Sequence, residues 1–250
     1  MHQPLALEWR YRDSAGAWQL LTCDRPTSAY LINAHGDGVA HYQRRMNDDA
    51  YYGLGEKTGD LQRNGKRYEM RNLDAMGYNA SSTDPLYKHV PFTITRRSDV
   101  SFGLYYDNLS SSWFDLGNEL DNYHQPYRRW QAESGDIDYY LFVGSKVLDV
   151  TKAFVRLTGK TLFGPKWSLG YSGSTMHYTD APDAQNQLMN FIRLCEQHDI
   201  PCDSFQLSSG YTSINNKRYV FNWNYDKVPQ PEVMSQAFHD AGLRLAANIK

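Results

Sequence analysis

The stretch PDAQNQLMNFIRLCEQHDIPCDSFQLSS, residues 182–209, sets the architecture of the C-terminal part of this chain. Its first eighteen residues place Leu188, Phe191, Ile192 and Cys195 at i, i+3, i+4 and i+7, one apolar face of a helix, with Asp180 or Asp183 near the start. IPCDSFQLSS (200–209) then reads as a strand. The same unit repeats downstream. PEVMSQAFHDAG (231–242) carries Met234, Ala237, Phe238 and Ala241 in helical period and stops at Gly242, and LRLAANI (243–249) is the next strand. KWSLGYSG (166–173) reads as a strand before the first helix. Strand–helix alternation of this kind builds parallel βα units with right-handed crossovers. Three such strands fall short of a closed barrel, which takes roughly 250 residues by itself. They would leave LRLAANI as an unpaired apolar edge. The expectation is a reading interrupted inside a larger fold rather than a small open sheet.

Upstream the character changes near residue 150. LEWRYRD and AWQLLT flank the turn Asp13-Ser14-Ala15-Gly16 as a hairpin, and SDVSFGLYYDN and DIDYYLFVGS have strand composition with polar turns. Residues 1–148 therefore read as an antiparallel β-sandwich. In VLDVTKAFVRLTGK, Asp149 is placed to cap a short helix with Ala153, Phe154 and Leu157 on one face, a linker helix over 149–164. Residues 165–250 hold the βα units.

YYGLGEKTGDLQRNGKRYEMRN, Tyr51 to Asn72, fits neither period. Gly53, Gly55, Gly59 and Gly65 mark backbone that turns tightly or approaches something closely. The polar segment continues to SSTDPLYKHVPF, and long loops of this kind are usually functional. Glu56 and Asp60 suggest an acid pair, but Lys57, Arg63, Lys66 and Arg67 beside them favour structural ion pairing. GLGEKTG is no P-loop, since it lacks the terminal Lys-Ser/Thr and the strand-to-helix setting.

A net charge of −2 provides no basic field for nucleic acid or anionic membranes. The 19 tyrosines and 6 tryptophans suit both β-sheet faces and the stacking of sugar rings, so they do not discriminate by themselves. Cys23, Cys195 and Cys202 form no metal spacing and no even framework; reduced thiols and a cytoplasmic location are the default expectation. Met1-His2-Gln3-Pro4 does not open a signal peptide, though a longer N-terminus would leave a secreted or periplasmic form open. No apolar run reaches membrane-span length. His, Cys and acidic residues never cluster at ligand spacing, so neither metal nor cofactor is expected.

Taken together, YYGLGEKTGDLQRNGKRYEMRNLDAMGY, FGPKWSLGYSGS and RYVFNWNYDKVPQPEVMSQAFHDAGLRLAANI, in that order from Tyr51 onward, resemble glycoside hydrolase family 31, the α-glucosidase and α-xylosidase family. The resemblance implies an α+β, multi-domain chain: a galactose-mutarotase-like β-sandwich, incomplete at its start, then the opening of a (β/α)8 TIM barrel. It further implies retaining hydrolysis of terminal α-linked sugars by two aspartates on later barrel strands, so that no residue of this chain is assigned a catalytic role. Retaining chemistry needs two carboxyl groups about 5–5.5 Å apart.

The resemblance also implies sugar-site residues. In that family a sandwich loop donates an aspartate to the sugar, and SSTDPLYKHVPF matches it with Asp84; a simple Thr83-Asp84-Pro85 turn is the alternative. After the first barrel strand, Met176 and Tyr178 are candidates to line the pocket, with His177 more at home as a surface residue. At the end of the second strand many α-glucosidases carry an aspartate; here Gln206-Leu207-Ser208-Ser209-Gly210-Tyr211 puts Ser208 in that place, with Tyr211 available for stacking. A hydroxyl is a weaker, uncharged partner, which brings glucose specificity into question and keeps α-galactosidase or α-xylosidase specificity open. Trp223, Asn222 and Asp226 read as scaffold and turn chemistry. A non-catalytic carbohydrate-binding β-module with an α/β appendage is the reading from a different class. A nucleotide-binding α/β reading fails for want of a glycine-rich turn after any strand.

Overall fold

The computed structural model describes residues 5–33 and 36–249. The opening Met1-His2-Gln3-Pro4, read above for a leader, lies outside the described residues, as does Lys250. The chain divides into two units, Met1–Lys160 and Thr161–Lys250.

Among the described residues the first unit holds eleven strands and one helix: β1 (Glu8–Arg12), β2 (Trp18–Cys23), β3 (Tyr30–Ile32), β4 (Val39–Arg44), β5 (Ala50–Gly55), β6 (Arg67–Met70), β7 (His89–Arg97), β8 (Val100–Tyr106), β9 (Ser112–Asp115), β10 (Tyr127–Ala132), β11 (Tyr139–Gly144) and α1 (Val147–Thr158). β1 and β2 form the expected hairpin, with the Asp13 carboxylate accepting from the Ala15 and Ala17 amides at 3.0 and 2.9 Å. A five-stranded sheet, β3-β4-β10-β9-β6, and a four-stranded sheet, β11-β8-β7-β5, are antiparallel throughout. Tyr51 and Leu104 from the smaller sheet and Tyr68, Phe114 and Trp130 from the larger share one buried cluster, so the two inner faces close on each other as a sandwich.

Gly53 and Gly55 mark close backbone approach, as read in the sequence, but they do so within a strand and not in a loop. Tyr51–Gly55 is not loop but the bulged strand β5, whose register slips between Gly53 and Gly55 against β7. Gly53 takes φ 103°, and a Cβ there would lie 2.4 Å from the Phe92 carbonyl oxygen. Gly55 takes φ 77°, with the Lys88 oxygen 2.6 Å from any added Cβ. Only glycine fits so close a backbone approach at positive φ. The bulge hid the strand period from the sequence.

Helix α1 packs on the outer face of the four-stranded sheet. Val150 is fully buried beside Phe92 and Ile94, and Phe154 stacks on Phe92 with ring centroids 4.2 Å apart. Gly103 makes room for it, since a Cβ there would meet Val150 Cγ1 at 2.7 Å. Asp149 is not the cap residue itself; it is the third helical residue, and its carboxylate accepts from the Lys146 amide at 3.2 Å. The helix read as a linker thus belongs to the first unit.

The second unit contains β12 (Ser172–Gly173), α2 (Met176–Asp180), α3 (Ala184–Gln197), β13 (Ser204–Leu207), α4 (Pro231–Asp240) and β14 (Arg244–Ala247). The sheet β12-β13-β14 is parallel, and Leu188, Ile192, Met234 and Phe238 from the two long helices pack on Phe205 and Leu207. The helical periods and the strand order match the sequence reading. KWSLGYSG departs from it: Lys166–Leu169 is a 3-10 turn and only Ser172–Gly173 is strand. The Pro165 carbonyl accepts from both the amide and the hydroxyl of Ser168, at 3.0 and 2.7 Å, which winds the segment before it can extend.

Candidate functional site

In the first unit the loop 56–66 and the loop 72–88 are bonded to each other. The Gly59 amide donates to the Ala80 carbonyl at 3.1 Å and the Thr58 hydroxyl to the Thr83 carbonyl at 2.8 Å. At their junction Asp84 is held by both carboxylate oxygens: Oδ1 accepts from Lys57 Nζ at 2.7 Å, and Oδ2 from the Glu69 amide at 2.6 Å. The Lys57 side chain is wholly buried, while Asp84 keeps 19% of its side-chain exposure. Burial pushes the Lys57 ammonium below the usual lysine range, and Asp84 pulls it back up. Lys57 also donates to the Glu69 carbonyl. The loop that opened the polar stretch therefore serves to seat Asp84.

Asp84 lines a cavity of about 380 Å³ together with Thr58, Lys66, Arg67, Ser81 and Ser82. Each of its oxygens has one donor among the described residues, which leaves acceptor capacity on both. Glu56 and Asp60 are in none of the ion pairs among the described residues: Glu56 accepts from the Tyr87 amide, and Asp60 offers its backbone carbonyl to Arg63. The expected pairing falls instead to Lys57–Asp84 and to Arg67, which bridges Asp115 and Glu119.

In the second unit the segments after β12 and β13 meet at the C-terminal ends of neighbouring strands. Gly210 packs directly on the backbone of Thr179, where a Cβ would come within 2.7 Å. Met176 opens α2 and is 48% exposed. Tyr178 is partly buried against the apolar core, facing Phe191. Ser208 is half-buried immediately past β13. Tyr211 is a core residue at 4% exposure, with its ring 4.9 Å from Trp223 and its hydroxyl donating to the Asn248 carbonyl at 3.4 Å. Its face is occupied by protein, so a stacking role would need Trp223 to leave it. The Asn248 amide in turn donates to the Leu207 carbonyl, which brings Asn248 beside Ser208.

Two further residues matter that no sequence motif singles out. Asn248 lies at the end of LRLAANI, the place where a parallel strand delivers side chains to a site, and that rule could have found it. Asn224, rather than Asn222 or Asp226, organises the turn before α4: its side chain donates to the Ser213 carbonyl at 2.6 Å and accepts from the Asp226 amide at 2.9 Å.

A second polar constellation lies in the sandwich core. His41 Nε2 donates to Asp24 at 2.8 Å and Nδ1 accepts from the Tyr106 hydroxyl at 2.8 Å, with Tyr30 and Tyr139 stacked on the ring. Burial holds His41 below the usual histidine range against the pull of Asp24, so the ring is neutral. Desolvation works against ionisation of Asp24, but hydrogen bonds from His41 and the Leu7 amide keep it below the ordinary carboxylate range. The arrangement resembles a catalytic relay, yet the side chains of His41 and Asp24 have no exposure and a substrate has no route to them. It is structural. Among the described residues, no three His, Cys, Asp or Glu side chains are grouped to hold a metal ion, and no helix is long and apolar enough to cross a membrane.

Comparison with known proteins agrees with this division. Residues 2–115 match the glycosyl hydrolase 31 N-terminal galactose mutarotase-like domain, and residues 161–250 match the glycosyl hydrolases family 31 TIM-barrel domain. The chain belongs to glycosyl hydrolase family 31. It is 33% identical to alpha-glucosidase 2 of Bacillus thermoamyloliquefaciens over 203 residues, 80% of this chain and 24% of that protein. It is 24% identical to alpha-xylosidase XylQ of Lactiplantibacillus pentosus, over 97% of this chain and 30% of that one. Among solved structures, a GH31 dextranase mutant of Flavobacterium johnsoniae complexed with isomaltotriose superposes with a TM-score of 0.80 at 27% identity, covering 96% of this chain and 27% of the other. The chain thus spans about a quarter of the length of alpha-glucosidase 2.

Proposed function

We propose that this chain supplies sugar-positioning groups of a retaining α-glycosidase that acts on terminal α-linked sugars, and that the carboxylates doing the chemistry lie outside it. The observation that carries the reading is the character of the strand ends. β12 runs into Ser174 and Thr175, β13 into Ser208, and β14 into Asn248, hydroxyls and an amide directly after each strand, while the Asp180 carboxylate at the end of α2 packs against Gly210. Such groups orient sugar hydroxyls by hydrogen bonds, but they cannot protonate a glycosidic oxygen or attack an anomeric carbon. Asp84, with acceptor capacity left on both oxygens, is the charged acceptor among the proposed ligands. In the second unit Met176 supplies an apolar group, while Tyr178 and Tyr211 form the wall behind the strand ends.

The relatives' names point the same way. One is an alpha-glucosidase, another an alpha-xylosidase, and the dextranase was solved with isomaltotriose. Ser208, where a carboxylate would discriminate more strongly, favours a preference other than strict glucose recognition. Amide-resolved NMR titration of the chain with isomaltotriose, an α-xyloside and an α-galactoside tests this. Shifts confined to Asp84, Met176, Ser208 and Asn248 are expected with at least one of the sugars. Shifts elsewhere, or none with any sugar up to millimolar concentration, would overturn it.

A further inference from the structure

The turn from α3 into β13 brings two thiols to one cavity, on the side of the parallel sheet opposite the strand ends at Ser208 and Asn248. Helix α3 ends at Gln197, Asp199 takes φ 51°, and the Ile200 amide donates back to the Cys195 carbonyl at 2.9 Å. That reversal folds the chain over the helix end. Cys195 and Cys202 consequently line one cavity of about 240 Å³ with Ile192, Ile200 and Leu243. Both are free thiols; Cys195 is buried and Cys202 half-buried. Cys202 Sγ sits 3.3 Å from the Ser204 carbonyl oxygen and 3.7 Å from that of Tyr171, which fixes its direction. Burial raises the Cys195 thiol, and the neighbouring Cys202 raises it further.

We propose that Cys195 and Cys202 form a reactive dithiol that closes to an intramolecular disulfide when a hydroperoxide reaches the half-buried Cys202. The Cys202 thiolate attacks one peroxide oxygen, the O–O bond breaks, and hydroxide leaves to be protonated to water, or an alcohol leaves if the peroxide is organic. The sulfur becomes a sulfenic acid. Cys195 then attacks that sulfur, the S–O bond breaks, and a water leaves with the thiol proton. Two thiols give two electrons to one peroxide, and the balance closes. The bridge would tie the helix end to the N-terminal side of the parallel strands. In βα folds that side governs stability, while the opposite ends bind substrate. Oxidation should therefore stiffen the second unit without touching sugar binding.

The test is treatment of the purified full chain with equimolar hydrogen peroxide, followed by alkylation, peptide mapping and thiol titration. A linked peptide joining Cys195 to Cys202 is expected, with only Cys23 left to titrate. Phenylarsine oxide, which bridges paired thiols, should be taken up once per chain by the wild type and by Cys23→Ser, and not by Cys202→Ser. Cys202 is the position to vary because it is the less buried of the pair. Absence of the linked peptide, separate oxidation of the two sulfurs to sulfinic acids, or equal arsenical uptake by Cys202→Ser would each overturn the proposal.

Discussion

Replacing Asp84 by alanine isolates what the polar loops of the first unit are for. The substitution removes the carboxylate that accepts from Lys57 and from the Glu69 amide, and leaves a lysine side chain with no solvent exposure and only the Glu69 carbonyl as partner. Breaking a buried ion pair from one side costs about 3–5 kcal/mol, because the remaining charge stays desolvated. Asp84 retains 19% exposure, so water reaches the gap in part, and the lower end of that range, about 3 kcal/mol, is the expected loss. Lys57→Met removes the stranded charge and should cost less, about 1–2 kcal/mol, for the hydrogen bonds it forfeits. The double variant should then be no worse than Asp84→Ala alone, a coupling of at least about 1–2 kcal/mol between the two side chains. Urea unfolding of the four proteins gives the cycle, and hydrogen exchange at the Glu69 amide reports locally that its acceptor is gone. Additive single effects, or a loss below about 1 kcal/mol for Asp84→Ala, would refute the view that this pair seats the loop.

Three further outcomes follow from the same structure. The His41 ring is held neutral below the usual histidine range, so the unfolded chain takes up its proton first as pH falls. Stability should therefore decline from about pH 6.5 downward through the lower folded value, by at most about 1.4 kcal/mol per pH unit from this group. Asp24, whose folded value is depressed, adds a loss in the same direction at lower pH, and His41→Gln should flatten the upper part of the profile in urea melts. Gly53→Ala should destabilise the first unit by about 2–4 kcal/mol, since it combines positive φ with a clash on the Phe92 carbonyl, whereas Gly16→Ala, where nothing lies within 4 Å, should cost about 1 kcal/mol or less. Ser208→Asp should shift sugar preference in the NMR titration toward α-glucosides by about tenfold, the worth of a charge-assisted over a neutral hydrogen bond; an unchanged ranking of sugars would remove Ser208 from the specificity positions.

The helical faces of α3 and α4 were legible in the sequence because their apolar residues keep one period, and the parallel order followed from the alternation. The sandwich was legible as a class, but not its strand β5, whose bulge at Gly53 breaks the two-residue period that marks a strand. KWSLGYSG misled because a proline carbonyl captured by Ser168 overrides strand composition. The site was only partly readable. Asp84 could be singled out by resemblance, yet its partner Lys57 lies 27 residues away in the chain, and no local pattern joins them. Tyr211 illustrates the opposite limit: an aromatic after a strand looks like a stacking platform until its ring is found against Trp223. The buried Asp24–His41–Tyr106 hydrogen-bond network was invisible for the same reason as Lys57, because its members are brought together only by tertiary packing.

If the chain positions sugar and leaves the chemistry to carboxylates elsewhere, it should turn over no glycoside by itself. Release of nitrophenol from an aryl α-glucoside by the purified chain, followed across the pH range in which the fold is stable, tests it most directly. The expected rate is indistinguishable from buffer at every pH. Turnover that co-purifies with the chain and is lost on substituting one of its own carboxylates would contradict it.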